Sequence, residues 1–137
     1  MSGGSVDLVE FLTARLDEDE QAARVAGDDR WALIPVYEDA TIRHGRMPDP
    51  QSIQIVEANG VEMGSVHRVA HAEYIARHDP ARVLAEVDAK RQLLDWLARE
   101  DERALDNNLW WWDGDGARKL LALPYADHPD YDEAWRP

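Results

Sequence analysis

Three of the five histidines in this 137-residue chain, His67, His71 and His78, lie close together, and Asp79 directly follows the last of them. At about 100° per residue, His67, Tyr74, His71 and His78 fall at about 0°, −20°, 40° and 20°, one stripe if the helix is continuous. His67 and His71 have the i,i+4 spacing that lets two imidazoles share a cation, with Asp79, Asp127 or Asp130 as a further ligand. Zinc or another divalent metal is the cofactor such a set would hold. The competing reading packs His71 and Tyr74 on a sheet and uses His78 to close a helix end, where partial negative charge favours imidazolium.

A second candidate is the run Trp110-Trp111-Trp112 inside DNNLWWWDGDG. Three adjacent tryptophans cannot share one face of a helix or strand, so at least one is exposed unless the loop folds inward. An exposed indole stacks on a base or sugar, or anchors a protein partner. With only Arg118 and Lys119 nearby, stacking on nucleic acid has little electrostatic help, so the run points to a protein partner. Asp113-Gly114-Asp115-Gly116 lacks the spaced ligands and terminal Glu of a calcium loop and reads as a flexible turn. Asp127-His128-Pro129-Asp130 clusters carboxylates with an imidazole, but such turns form for backbone reasons alone.

Catalytic residues stay unknown at this stage. There is no cysteine, which removes disulfides, thiolate zinc sites and thiol nucleophiles. No phosphate-binding glycine loop, nucleophile elbow or kinase signature is present. With 28 acidic and 15 basic residues the net charge is −13, which disfavours direct contact with nucleic acid or anionic membranes and favours basic partners. The same charge could mimic nucleic acid against a basic protein groove. No run approaches the roughly 20 apolar residues of a membrane helix, and the N-terminus lacks the regions of a signal peptide. The reading is cytoplasmic.

The elements that must position these residues follow from periodicity. Leu8, Phe11, Leu12 and Leu16 form an apolar stripe on a helix capped by Ser5 and stopped by Gly27. On it, Asp17-Glu18-Asp19-Glu20 point in four successive directions and read mainly as solvated surface. Trp31 to Tyr37, Thr41-Ile42, Ile53 to Val56 and Val61 to Met63 read as strands, with a hairpin at Asn59-Gly60. A helix then runs to His78. Asp79-Pro80 breaks it and starts the next, which frays between Arg99 and Asn107. A short helix from about Ala117 to Leu123 precedes a tail anchored by Tyr125, Tyr131 and Trp135. The expected class is α+β: a small antiparallel sheet of three or four strands packed against N-terminal, central and C-terminal helices, in one domain over 1–137. Residues 1–4 and the 106–116 loop are the segments expected to be flexible.

Three stretches, LVEFLTARLDEDEQAARVA, IARHDPARVLAEVDAKRQLL and LLALPYADHPDYDEAWRP, resemble an uncharacterised family of small acidic proteins from high-GC Gram-positive bacteria and their phages. The resemblance covers the helical ends, about half the chain. Its relatives carry His at the position of Tyr74 and often Cys and His around the Trp run, and this chain departs from both. It implies no activity. Two functions follow for testing. One is a non-enzymatic interaction or regulatory protein that binds a partner through the Trp loop and acidic faces. The other is a metal-dependent enzyme, a hydrolase by this reading, using His67, His71, His78 and a carboxylate.

Overall fold

Asp7 starts the first helix. Its Oδ1 accepts the Glu10 N–H at 2.8 Å, occupying one of the amides that a helix start leaves free. The computed structural model describes residues 6–37 and 49–137, so the expected cap Ser5 lies outside the described residues, as do residues 1–4. Helix α1 runs Leu8–Val25. At its end Gly27 has φ +114°. The Gly27 N–H donates to Arg24 O and the Asp28 N–H to Ala23 O, the paired bonds of a Schellman ending.

Strands β1 (Trp31–Val36), β2 (Ser52–Glu57) and β3 (Glu62–Val66) form an antiparallel sheet in the order β1-β2-β3. The centre strand supplies its buried residues, Ile53, Ile55 and Val56. Leu33 pairs with Ile55 and Ile53 with Val66, and the register shifts beside Ile55 and Val56, where Gly64 and then Glu62 are the partners. Met63 is thereby the additional residue of a bulge. The hairpin departs from the expected tight Asn-Gly turn: only Gly60 has positive φ, at +85°. Its N–H donates to Glu57 O while the Glu57 N–H donates to Val61 O, giving a three-residue loop closed by a glycine bulge. The Thr41-Ile42 strand expected from the sequence falls outside the described residues.

Helix α2 (Val69–Arg77) lies against all three strands, with Ala72 buried. Asp79 then caps α3 (Pro80–Asp106), accepting the Arg82 N–H at 2.9 Å with Pro80 at the first helical position. This is the break that Asp79-Pro80 predicts. Helix α3 ends as α1 does: Asn108 has φ +54°, the Leu109 N–H donates to Ala104 O, and the Asn108 N–H to Leu105 O. Asn substitutes for glycine in this left-handed position. Helix α4 covers Gly114–Ala122, three residues earlier than expected. The supposed flexible turn at Asp113-Gly114-Asp115-Gly116 is therefore a helix start.

The chain forms two compact units, residues up to Gln21 with Glu86–Pro137, and Ala22–Ala85. In the first, Phe11, Leu12, Ala122 and Tyr131 make a core with Leu94, Tyr125 and Trp135 against it. Phe11 takes Tyr125, His128 and Tyr131 edge-on at 6.4, 5.7 and 5.9 Å between centroids. The aromatic tail is thus anchored by the residues its spacing singles out. In the second unit the buried residues of β2 and Ala72 of α2 form the sheet–helix core. The class is α+β with a small antiparallel sheet, as expected. Among the described residues no helix is long and apolar enough to cross a membrane.

Candidate functional site

Asp101, on the last third of α3, organises the Trp run. Its Oδ1 accepts the Trp112 indole N–H at 2.7 Å and its Oδ2 accepts Arg118 Nη2–H at 2.6 Å. Arg118 comes from α4, is only 5% exposed, and also donates to Asp115 Oδ1 at 3.0 Å. Carboxylates on two sides engage both terminal nitrogens of a buried guanidinium that would otherwise be costly, while its buried Nε has no hydrogen-bond partner among the described residues. The Trp112 hydrogen bond holds the Asp101 carboxyl below its usual range; Arg118 adds to this and burial opposes it. Burial works to lower the Arg118 pKa, but the bonds to Asp101 and Asp115 outweigh it and the net shift is upward. Both groups therefore stay charged.

The backbone around this pair is shaped to let it form. Asp113 caps α4 by accepting the Asp115 and Gly116 N–H groups at 3.1 and 3.3 Å. A Cβ on Gly114 would sit 2.5 Å from Asp101 Oδ1, so any larger residue would have to displace the carboxylate that Trp112 and Arg118 share. Trp112 also stands edge-on to Trp96, at 6.1 Å and 77°. With Trp112 pinned, its neighbours are turned outward: Trp110 is 88% and Trp111 63% exposed. Leu105, on the last turn of α3, is 83% exposed. Leu105, Ala104, Leu109, Trp110 and Trp112 line a cavity of about 260 Å³ with Asp101 and Asn108. The arrangement holds a recess of mixed polar and apolar lining beside two outward indoles, which suits recognition of a side chain that is apolar in part. The sequence marks the Trp run, but nothing in it singles out Asp101 or Arg118, which fix it.

The histidines are placed differently from the continuous stripe. Helix α2 begins at Val69 with Arg68 as its N-cap, so His67 precedes the helix, and its Nδ1 lies 3.4 Å from Gln51 O. His78 is the C-cap of α2, its Nδ1 2.8 Å from Tyr74 O and its ring 4.4 Å from the Tyr74 ring. Asp79, the nearest proposed ligand, is buried, and its two oxygens take the Trp31 and Arg82 N–H groups. Its role in the structure is that of a cap joining β1 to α3. His71 is exposed on α2. Among the described residues no group of three or more His, Asp and Glu side chains is arranged to hold a metal ion.

The acidic run of α1 is committed within its own unit. Asp17 and Glu20 both pair with Arg91, Glu18 pairs with Arg15 at 2.8 Å, and Asp19 accepts the Tyr125 hydroxyl at 2.6 Å. Pointing in four directions, the four carboxylates have Arg91, Arg15 and Tyr125 among their partners. Burial, then the bond to Asp19, pushes the Tyr125 phenol well above its ordinary range. Arg15, buried within the apolar stripe, lies against the His128 ring at 2.6 and 2.5 Å from its two nitrogens, and His128 Nδ1 also accepts the Asp130 N–H at 3.0 Å. The Asp127–Asp130 segment is thus a turn whose imidazole is held against Arg15 and Phe11. An arginine interrupting the Phe11-Leu12-Leu16 stripe was the signal for this contact.

Neither the curated proteins nor the solved structures compared with the chain give a match. A family does, over residues 5–137, so the relationship takes in the sheet as well as the helical ends on which the resemblance rests. The chain belongs to the family of unknown function DUF6221.

Proposed function

We propose that this protein is a non-enzymatic interaction module whose contact surface is the Trp110-Trp111 turn with Leu105 and the adjoining recess. The observation that carries the reading is the fixed presentation of two exposed indoles by a third that is pinned to Asp101 and Trp96. Tryptophan leads among residues that dominate binding energy, and holding it in place before binding reduces the ordering cost. Stretch 100–115 carries six acidic residues, Glu100, Asp101, Glu102, Asp106, Asp113 and Asp115, against Arg103 alone. That balance selects a protein partner presenting a partly apolar side chain flanked by basic residues. The acidic run of α1 is internally bonded, and within 100–115 Asp101 and Asp115 are bonded to Arg118 while Asp113 caps α4, so Glu102 and Asp106 supply most of the charge offered to a partner.

The test compares wild type with Trp110→Ala/Trp111→Ala as bait, then titrates the purified captured protein against both. The expected result is a partner whose affinity falls about tenfold or more in the double variant and weakens with salt. A partner bound equally by both baits would overturn the reading. So would wild-type self-association that disappears in the double variant, since the surface would then serve a second copy of the chain.

A further inference from the structure

The hairpin between β2 and β3 holds a chemistry that neither the Trp turn nor the histidines use. Among the described residues, Asn or Asp precedes glycine at Asn59-Gly60, Asp113-Gly114 and Asp115-Gly116. At such a step the next main-chain nitrogen can reach the side-chain carbonyl carbon, and glycine has no Cβ to hinder the approach. The structure separates the three. Asp113 Oδ1 accepts the Asp115 and Gly116 N–H groups as the cap of α4, and Asp115 Oδ1 accepts Arg118 Nη1–H within that helix. Both are held by these bonds, and a carboxylate is a poorer electrophile than a carboxamide. Asn59 carries the carboxamide, and both it and Gly60 are exposed in the hairpin loop.

Asn59 Oδ1 accepts the Val61 N–H at 3.0 Å, which folds the carboxamide back over the Gly60 peptide. Gly60 has φ +85°, and a Cβ placed on it would meet no atom within 4 Å, so water reaches the loop freely. One bond opposes the reaction: the Gly60 N–H donates to Glu57 O at 2.9 Å. A main-chain bond in an exposed loop opens locally, without unfolding of the sheet. We propose that Asn59-Gly60 is a site of spontaneous deamidation that consumes water and yields aspartyl and isoaspartyl linkages. The Gly60 nitrogen bonds to Asn59 Cγ, the Cγ–Nδ2 bond breaks, and ammonia leaves with the Gly60 proton. Water then opens the cyclic imide. Breaking the bond from the Gly60 nitrogen to Cγ leaves ordinary aspartate, whereas breaking its bond to the main-chain carbonyl carbon leaves isoaspartate. The isoaspartyl product adds a methylene to the main chain of a loop whose length sets the β2–β3 register, and it takes away the acceptor of the Val61 N–H. Either product adds negative charge between Glu57 and Glu62.

The test ages the full chain in mildly alkaline buffer, which favours loss of the Gly60 amide proton, and follows it by peptide mapping with fragmentation that tells the two linkages apart. The expected result is conversion at Asn59, with isoaspartate among the products, while Asn107 and Asn108 stay amides. Those two precede Asn108 and Leu109 rather than glycine, and Asn107 Nδ2–H donates to Arg103 O. Asn59→Gln, whose longer side chain closes a less favoured ring, should stay unconverted under the same conditions. Aged protein should melt at a lower temperature than fresh protein, with Asn59→Asp, which gains the charge and keeps the loop length, between the two. Asn59 that stays an amide in the folded chain would overturn the proposal, and conversion of the same chain in urea would then assign the protection to the bond from Gly60 to Glu57. Conversion at Asn107 or Asn108 as fast as at Asn59 would overturn the choice of site, and products holding only ordinary aspartate would overturn the isoaspartyl assignment.

Discussion

Asp101 serves two donors at once, and losing its charge leaves a buried guanidinium short of a partner. Asp101→Asn should cost about 2 kcal/mol, less than a fully buried pair because Asp101 is partly exposed. Chemical denaturation followed by tryptophan emission will measure it. Because the folded pKa of Asp101 is depressed, its contribution is fully present above its unfolded value of about 4 and is lost as pH falls through the folded pKa. The gap between wild type and Asp101→Asn should therefore be constant at neutral pH and narrow in acid below about pH 4. For the histidines, the occupied oxygens of Asp79 and the position of His67 before α2 lead us to expect no stoichiometric transition metal in protein purified without tag or chelator. Elemental analysis decides this, and metal that His71→Ala removes would restore the metal-site reading.

Helices α1 and α3 end in the same way, one with Gly27 and the other with Asn108 in the left-handed region. Asn108→Gly should leave stability unchanged or raise it by up to about 1 kcal/mol, and Asn108→Ala should lower it by about 1 kcal/mol. Thermal melting of the pair will show the order. At this scale much was legible: the Asp79-Pro80 break, the end at Gly27 and the alternation in β2 depend on near neighbours in the chain. The start of α4 was not, because glycine at 114 reads locally as a turn, while its real requirement is the carboxylate of Asp101 on another helix. The histidine stripe depended on a continuous helix, and since Arg68 is the N-cap of α2, His71 and Tyr74 lie on the helix, His78 caps it and His67 precedes it. Pairings such as Arg15 with His128 and Arg118 with Asp101 span long sequence separations and left only faint traces in the sequence.

Over the whole molecule, acidity is distributed unequally in what it does. The α1 carboxylates are bonded to Arg15, Arg91 and Tyr125, and near the Trp turn Asp101 and Asp115 hold Arg118 while Glu102 and Asp106 lie in the same stretch as the exposed indoles. Stability and recognition should therefore separate on mutation. Trp110→Ala/Trp111→Ala removes side chains that are mostly in solvent, so its unfolding free energy should stay within about 0.5 kcal/mol of wild type. The measurement that bears most directly on the central claim is the affinity of the captured partner for wild type and for this double variant, each first shown to melt alike. An affinity at least about tenfold weaker in the double variant is the predicted result. Equal affinity in two equally folded proteins would contradict the account and take the binding surface away from the Trp turn.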